Sequence, residues 1–204
     1  MPKFIFDKNY SVFIPARKDW IYDEVVLNDD VICYTDGSRF EHIGMSGAGI
    51  YNHTDNEEII LPLGHNTSVF QAEVYAIAQC AKMENLLHRN NSSIAICSDS
   101  LSAIKAVSAA KVTTGTVADA MQALKALAIY NSVRLVWVPG HCGVEGNDRA
   151  DLPAKEAAST PFIGPEPSLG LAPLLYVAHY TIGLIKNRLD SGKHSQAVDK
   201  QSYF

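Results

Sequence analysis

Four acidic residues stand out by their surroundings: Asp36 in YTDGS, Glu73 in FQAEVYAI, Asp99 in CSDS and Asp151 in GNDRAD. The first three lie among apolar residues, where a charged group is rare unless it is paired or bound to a metal. Taken singly, each has an ordinary explanation. An aspartate at a strand end often caps a turn, and a glutamate in a first helical turn complements the helix dipole. From the single positions alone, structural and chemical roles both remain open.

A histidine lies in the glycine-rich segment Val138–Asp151, VPGHCGVEGNDRAD. The imidazole of His141 is able to titrate near neutral pH, which suits it to proton transfer. An isolated histidine is more often only a surface imidazole. The segment as a whole gives this residue its interest.

The elements that must position these residues begin with three strands. The run Val31–Asp36 is short, apolar and β-branched, and Gly37-Ser38 predicts that it ends in a turn. The segments Gly44–Asn52 and Glu57–Gly64 flank a polar turn and predict a hairpin. Three successive strands indicate an antiparallel meander.

Helices and two further strands follow. Ser68 and Gln71 have the spacing of a capping box, which predicts a helix from near Val69 to about Arg89. Later elements are a strand at Ser93–Ser100, a short helix marked by Leu101, Ile104 and Val107, a helix over Val117–Tyr130, a strand at Val133–Gly140 and a last helix from Val144–Asn147 to about Ala158. This order predicts a mixed sheet with helices on its faces, and chemistry at the carboxyl ends of the strands, where Asp99 and His141 fall.

Together the motifs resemble the type 1 ribonuclease H family: T-D-G-S after the first strand, A-E in the first helix, S-D-S after the fourth strand and P-G-H-x-G-x-x-G-N-x-x-A-D near the end. The resemblance covers about Val31 to Ala158. It implies an α/β fold with a mixed five-stranded sheet, three antiparallel strands and then two parallel ones, and helices on both faces. The implied activity is hydrolysis of the RNA strand of an RNA–DNA hybrid.

The resemblance also implies a site. Two Mg²⁺ ions about 3.5–4 Å apart, with Mn²⁺ as an alternative, need several carboxylate oxygens; the implied ligands are Asp36, Glu73, Asp99 and Asp151. His141 is implied in proton transfer or product release, and Asp148 in support of the metals from outside the ligand set. The implied substrate contacts are Gly37, Ser38, Ser100 and Asn147.

The chain departs from the family at several positions. Val69 and Phe70 precede the helix glutamate, where related enzymes carry polar residues that read the minor groove, and Leu101 stands where a glutamine is frequent. Pro153 is tolerable in a first helical turn and disruptive in a helix interior. The stretch Lys111–Ala120 holds one cation, so we expect no basic protrusion there.

The charge balance is unusual for a nucleic-acid enzyme, since phosphate contacts come mainly from Lys and Arg. The net charge is −5, and residues 30–158 hold nine Lys or Arg against fourteen Asp or Glu, the same balance of −5. Metal ions would supply the missing positive charge. The leader FDKNYSVFIPARKDW and the tail STPFIGPEPSLG resemble those of the ribonuclease H segment of a non-LTR retrotransposon polyprotein, which implies an upstream reverse transcriptase that holds the hybrid.

Two alternatives stay open beside an active ribonuclease H. One is a domain of the same fold with another nucleic-acid reaction, such as strand transfer, against which the four acids and His141 argue. The other is a decayed, non-catalytic module that serves as a structural or tethering domain. Pro153 and the irregular tail favour that reading, whereas every implied ligand is present.

The chain ends and the composition complete the predictions. We expect a leader or linker at 1–29, the ribonuclease H domain at 30–158, and a Pro-rich linker with a tail and a second, weaker helix at 159–204. Four scattered cysteines without a CxxC pair indicate a reducing compartment, and the N-terminus lacks the apolar core of a secretory signal. We therefore expect a cytoplasmic or nuclear monomer that is not secreted and binds no membrane.

Overall fold

The structure, a computed structural model, describes residues 8–22, 24–112, 114–161 and 169. The strands are β1 (Ser11–Phe13), β2 (Val31–Phe40), β3 (Met45–Asn52), β4 (Glu57–Gly64), β5 (Ser93–Ser98) and β6 (Ser132–Trp137). The helices are α1 (Arg17–Ile21), α2 (Val69–Leu86), α3 (Leu101–Ser108), α4 (Gly115–Leu127) and α5 (Glu145–Ser159). The predicted tail helix and the apolar run at 171–186 lie outside the described residues. Within the described part, no helix is long and apolar enough to cross a membrane.

The strands form one mixed sheet in the order β1-β6-β5-β2-β3-β4. β2, β3 and β4 are antiparallel neighbours, whereas β5 is parallel to β2 and β6 is parallel to β5. The predicted fold class is therefore confirmed, including the meander followed by two parallel strands. The sheet has one strand more than predicted, because β1 pairs in parallel with the outer edge of β6.

The first long strand does not end where the sequence predicts. β2 continues through Gly37-Ser38 to Phe40, and Asp36 and Gly37 pair with Gly49 and Ala48 of β3. The predicted turn at this point was wrong. Turn propensity is a local preference, and pairing with a neighbouring strand overrides it. As a result Asp36 lies within a strand in the middle of the sheet.

Helices cover both faces of the sheet. Successive strand residues point to opposite faces, so Cys33 and Ile94 pack with α2, α3 and α4, whereas Tyr34 and Ala95 belong to the cluster that contains Ala150 of α5. The capping box of α2 is confirmed, since Ser68 and Gln71 bond each other's backbone N–H groups. Both helix layers thus have a fixed position relative to the strands.

Helix α5 lies very close to β3, and two glycines permit it. A Cβ on Gly49 would lie 2.4 Å from the carbonyl oxygen of Ala150, and one on Gly47 would lie 2.4 Å from the amide nitrogen of Ala158. Pro153 is buried inside this helix rather than in its first turn, and the helix continues to Ser159. The expectation that an interior proline would disrupt this helix was wrong; the close packing of α5 on the sheet holds it through the missing N–H.

The leader contributes to the fold, which the sequence analysis missed. Tyr10 is buried, and its hydroxyl donates to the carbonyl oxygen of Val107 at 2.7 Å. β1 follows directly and is only three residues long, too short to leave a periodic signal. Beyond the last helix, the carbonyl oxygen of Leu169 accepts hydrogen bonds from Gln71 Nε2 at 3.1 Å and Thr116 Oγ1 at 3.0 Å. The start of α2 is thereby bonded to the start of α4 through one residue of the Pro-rich segment.

Candidate metal centre

Three of the predicted carboxylates meet at one edge of the sheet. Asp36 comes from the middle of β2, Glu73 from the first turns of α2, and Asp99 from the residue after β5. Each offers one oxygen atom, and these atoms all lie within 4.8 Å of one another. Asp36 and Glu73 are only 7% and 6% exposed.

The neighbouring backbone explains how the carboxylates approach so closely. Thr35 of β2 pairs with Ser98 of the parallel strand β5, so the residues that follow them, Asp36 and Asp99, lie side by side. Helix α2 reaches the strand because residue 37 is glycine, where a Cβ would lie 2.5 Å from the amide nitrogen of Glu73. Gly140 does the same on the other side, since a Cβ there would lie 2.4 Å from Asp99 Oδ2.

The electrostatic consequence is that the cluster resists ionisation. Burial, followed by the charges of Asp99 and Asp151, raises the pKa of Asp36 to about 7. Burial and the charges of Asp36 and Asp99 raise the pKa of Glu73 well above its ordinary value. Burial also raises the pKa of Asp99, although a hydrogen bond from Asn147 opposes the shift. Three buried carboxylates of like charge need protons or cations to neutralise them.

Two buried glutamates of α2 show what distinguishes this cluster from a structural ion pair. Glu84 is 3% exposed and accepts hydrogen bonds from Asn52 Nδ2 at 2.9 Å and Arg89 Nε at 2.7 Å. Glu73 is equally buried, but its Oε2 has no hydrogen-bond partner. A buried carboxylate oxygen without a partner is costly, and oxygen ligands are those that hard divalent cations select. The residues present therefore fit a divalent metal ion.

Asp151 lies beside the cluster rather than within it. It lines the same pocket, but it is outside the group of three whose oxygens lie within 4.8 Å. Its Oδ2 accepts a hydrogen bond from Lys155 Nζ at 2.5 Å. Lys155 also lines the pocket, and the sequence analysis missed it. The available signal was the spacing of four residues, which places both side chains on one face of α5.

The pocket over the cluster has a volume of about 330 Å³. Its lining includes three of the other predicted residues, Gly37, Ser38 and Asn147, together with His141. His141 is exposed and has a φ of 53°, a left-handed conformation in the turn between β6 and α5. An exposed imidazole at the mouth of an acidic pocket is placed to exchange protons with solvent.

The remaining predicted residues have other surroundings. Ser100 is the N-cap of α3, where its Oγ accepts from the amide of Ala103 at 3.3 Å. Asp148 is exposed in the first turn of α5 and does not line the pocket. Asn147 is 2% exposed and donates through Nδ2 to Asp99 Oδ2 at 3.3 Å, so its observed partner is a carboxylate of the cluster.

Arg39 is a second lining residue that the sequence analysis missed. Its Nη1 donates to the Ser46 hydroxyl at 3.0 Å and to the carbonyl oxygen of Thr67 at 2.6 Å. These bonds tie the end of β2 to the start of β3 and to the residue before the cap of α2. Arg39 therefore holds the rim of the pocket together, and nothing in its local sequence marked it.

Comparison with known proteins identifies one family. The sequence profile of the family described as RNase H matches residues 28–159, which contain all the carboxylates described above. A search of curated proteins found none with significant similarity. The match covers the sheet from β2 to β6 and helices α2 to α5.

Proposed function

The chain belongs to the RNase H family, and on that premise we propose that it hydrolyses the RNA strand of RNA–DNA hybrids with divalent metal ions held by Asp36, Glu73 and Asp99. The observation that carries the proposal is Glu73. Its buried Oε2 has no partner in the protein and lies in a group of three carboxylates whose oxygens are within 4.8 Å of one another. An unpaired buried oxygen in this position is explained by a metal ligand.

We assign two ions, Mg²⁺ with Mn²⁺ as the alternative, and Asp151 as the ligand at the open edge of the site. Bound divalent ions supply Lewis-acid activation of a water molecule and charge stabilisation of the leaving oxygen. The chain's own residues bind and orient them. Asn147 holds the carboxylate of Asp99 through Nδ2, and Lys155 holds that of Asp151 through Nζ.

His141 is assigned to proton transfer at the mouth of the pocket. Its exposure lets the imidazole exchange a proton with bulk water, and its place in the lining brings it near the reacting groups. We assign Gly37 and Ser38, which line the same pocket, to contacts with the nucleic acid. Asp148 is assigned a weaker role: it is exposed, and its charge acts on Lys155.

We further propose that the chain works as the ribonuclease H segment of a retroelement reverse-transcription machinery, in which an upstream polymerase holds the hybrid. The negative balance of residues 30–158 supports this, since such a surface neutralises few phosphates. Fusion to a basic hybrid-binding module should then raise activity much more at low enzyme concentration than at saturating substrate, because it adds uniform binding.

The experiment that tests the activity compares three duplexes. Labelled RNA–DNA hybrid, duplex DNA and duplex RNA are incubated with the full chain in Mg²⁺, beside the Asp99→Asn variant. We expect cleavage of the hybrid alone, and none by the variant, because the amide removes a ligand charge at constant volume. Joining or cleavage of duplex DNA would indicate strand transfer, and an inert but folded wild-type chain would favour the non-catalytic module.

A further inference from the structure

The inference concerns the positive charge that the core lacks, and it rests on the proposed hybrid substrate. Affinity for a nucleic acid comes largely from Lys and Arg contacts with phosphates. Four arginines are already occupied, because each has a carboxylate oxygen within 4.0 Å: Arg39, Arg89, Arg134 and Arg149. A phosphate would have to compete with these carboxylates for the guanidinium groups.

Arg17 differs from these four. Its Nη2 donates to Cys142 Sγ at 2.7 Å, and no carboxylate in the described part of the chain lies within 4.0 Å of it. A thiol is a weak, neutral acceptor, whereas a guanidinium carries five N–H donors and a permanent charge. Both Arg17 and its neighbour Lys18 are exposed. The charge of Arg17 is therefore available to an anion from outside.

The topology places α1 at the edge of the sheet that holds the metal centre. β1, β6 and β5 are parallel, so their carboxyl ends lie at one edge. Asp99 follows β5, His141 follows β6, and α1 follows β1 after a three-residue connection. Cys142, the partner of Arg17, is the residue next to His141. The leader thus brings a free cation to the rim of the pocket, and the pairing of β1 with β6 fixes it there.

We propose that Arg17, with Lys18 beside it, binds a backbone phosphate of the hybrid next to the cleaved bond. The planar fork of a guanidinium matches two phosphate oxygens. A contact of this kind positions the substrate without regard to base sequence. Arg17 is in this account a positioning residue, which holds the strand across the carboxylates while other groups carry out hydrolysis.

Lys125 provides a matched control for charge. It is exposed in the last turn of α4, and its carbonyl oxygen accepts from Asn9 just before β1. Since β1 and β5 are parallel, this is the edge of the sheet opposite Asp99. Lys125→Gln and Arg17→Gln therefore remove the same charge at opposite ends of the molecule.

The test measures binding of labelled hybrid to the full chain in Ca²⁺ over a series of salt concentrations, by fluorescence anisotropy. For Arg17→Gln we expect about tenfold weaker binding, the size of one charge-assisted hydrogen bond. The slope of log affinity against log salt should fall in magnitude by about 0.9. Lys125→Gln should match the wild type, and Arg17→Lys should keep the slope. In Mg²⁺, Arg17→Gln should raise KM and leave kcat unchanged.

Cys142→Ala separates a phosphate contact from a structural one. It removes the observed partner of Arg17 and leaves the guanidinium, so binding should persist if the phosphate is the functional partner. The proposal is overturned if Arg17→Gln binds like the wild type, or if Cys142→Ala loses affinity equally. If the wild type cleaves hybrid in these cases, the proposed function stands alone; if it neither binds nor cleaves hybrid, both are overturned.

Discussion

Replacing Asp36 by asparagine should stabilise the metal-free protein, although it removes a proposed catalytic ligand. The folded pKa of this group is about 7 and its ordinary value is 3.8. A difference of about 3 pKa units at about 1.36 kcal/mol each gives an upper limit of about 4 kcal/mol. The side chain is 7% exposed, so screening by solvent removes little of this energy.

The sign of the pH dependence follows from the direction of the shift. Because the folded pKa of Asp36 lies above the unfolded one, the folded state favours the protonated acid. The stability from this group is complete below pH about 4 and is lost as the pH rises towards 7. Asparagine has no charge to bury. The two proteins should therefore agree at pH 4, and the variant should be more stable by up to about 4 kcal/mol at pH 8.

Urea unfolding followed by circular dichroism, in EDTA at pH 4, 6 and 8, measures this difference. Glu57→Gln, a change at an exposed acid of β4, is the control and should show no pH-dependent gap. Mg²⁺ should raise the stability of the wild type and not that of Asp36→Asn, since a ligand that binds only the folded state stabilises it. A variant that is no more stable than the wild type at pH 8 would refute the reasoning.

Three further changes address the rest of the site. His141→Ala should lower kcat by about 10²-fold or less and leave the Mg²⁺ requirement unchanged, whereas an inert variant would mean a ligand or structural role. Gly140→Ala should weaken Ca²⁺ binding in calorimetry, because the new Cβ displaces Asp99 Oδ2, 2.4 Å away; unchanged binding would contradict the close contact. Lys155→Met should strengthen Ca²⁺ binding by freeing the Asp151 carboxylate, and weaker binding would show that the ammonium aids the metals.

Much of the centre could be predicted from sequence because its residues sit in strong local patterns. Glu73 follows a capping box in an apolar helix, and Asp99 ends an apolar strand. The position of Asp36 within a strand could not be predicted, since it depends on pairing with β3, which is distant in sequence. Arg17 was missed for a similar reason: its chemical meaning comes from a strand of three residues that places it near His141.

The most direct test of the central claim is to follow both strands of one RNA–DNA hybrid, each with its own label, in the presence of the full chain. With Mg²⁺ the account predicts that the RNA strand is cut and the DNA strand stays intact, and that EDTA or Glu73→Gln abolishes the cut while the fold remains. Cleavage of the RNA strand that persists in EDTA, or full activity of a folded Glu73→Gln variant, would contradict the claim that the buried carboxylates hold the metals.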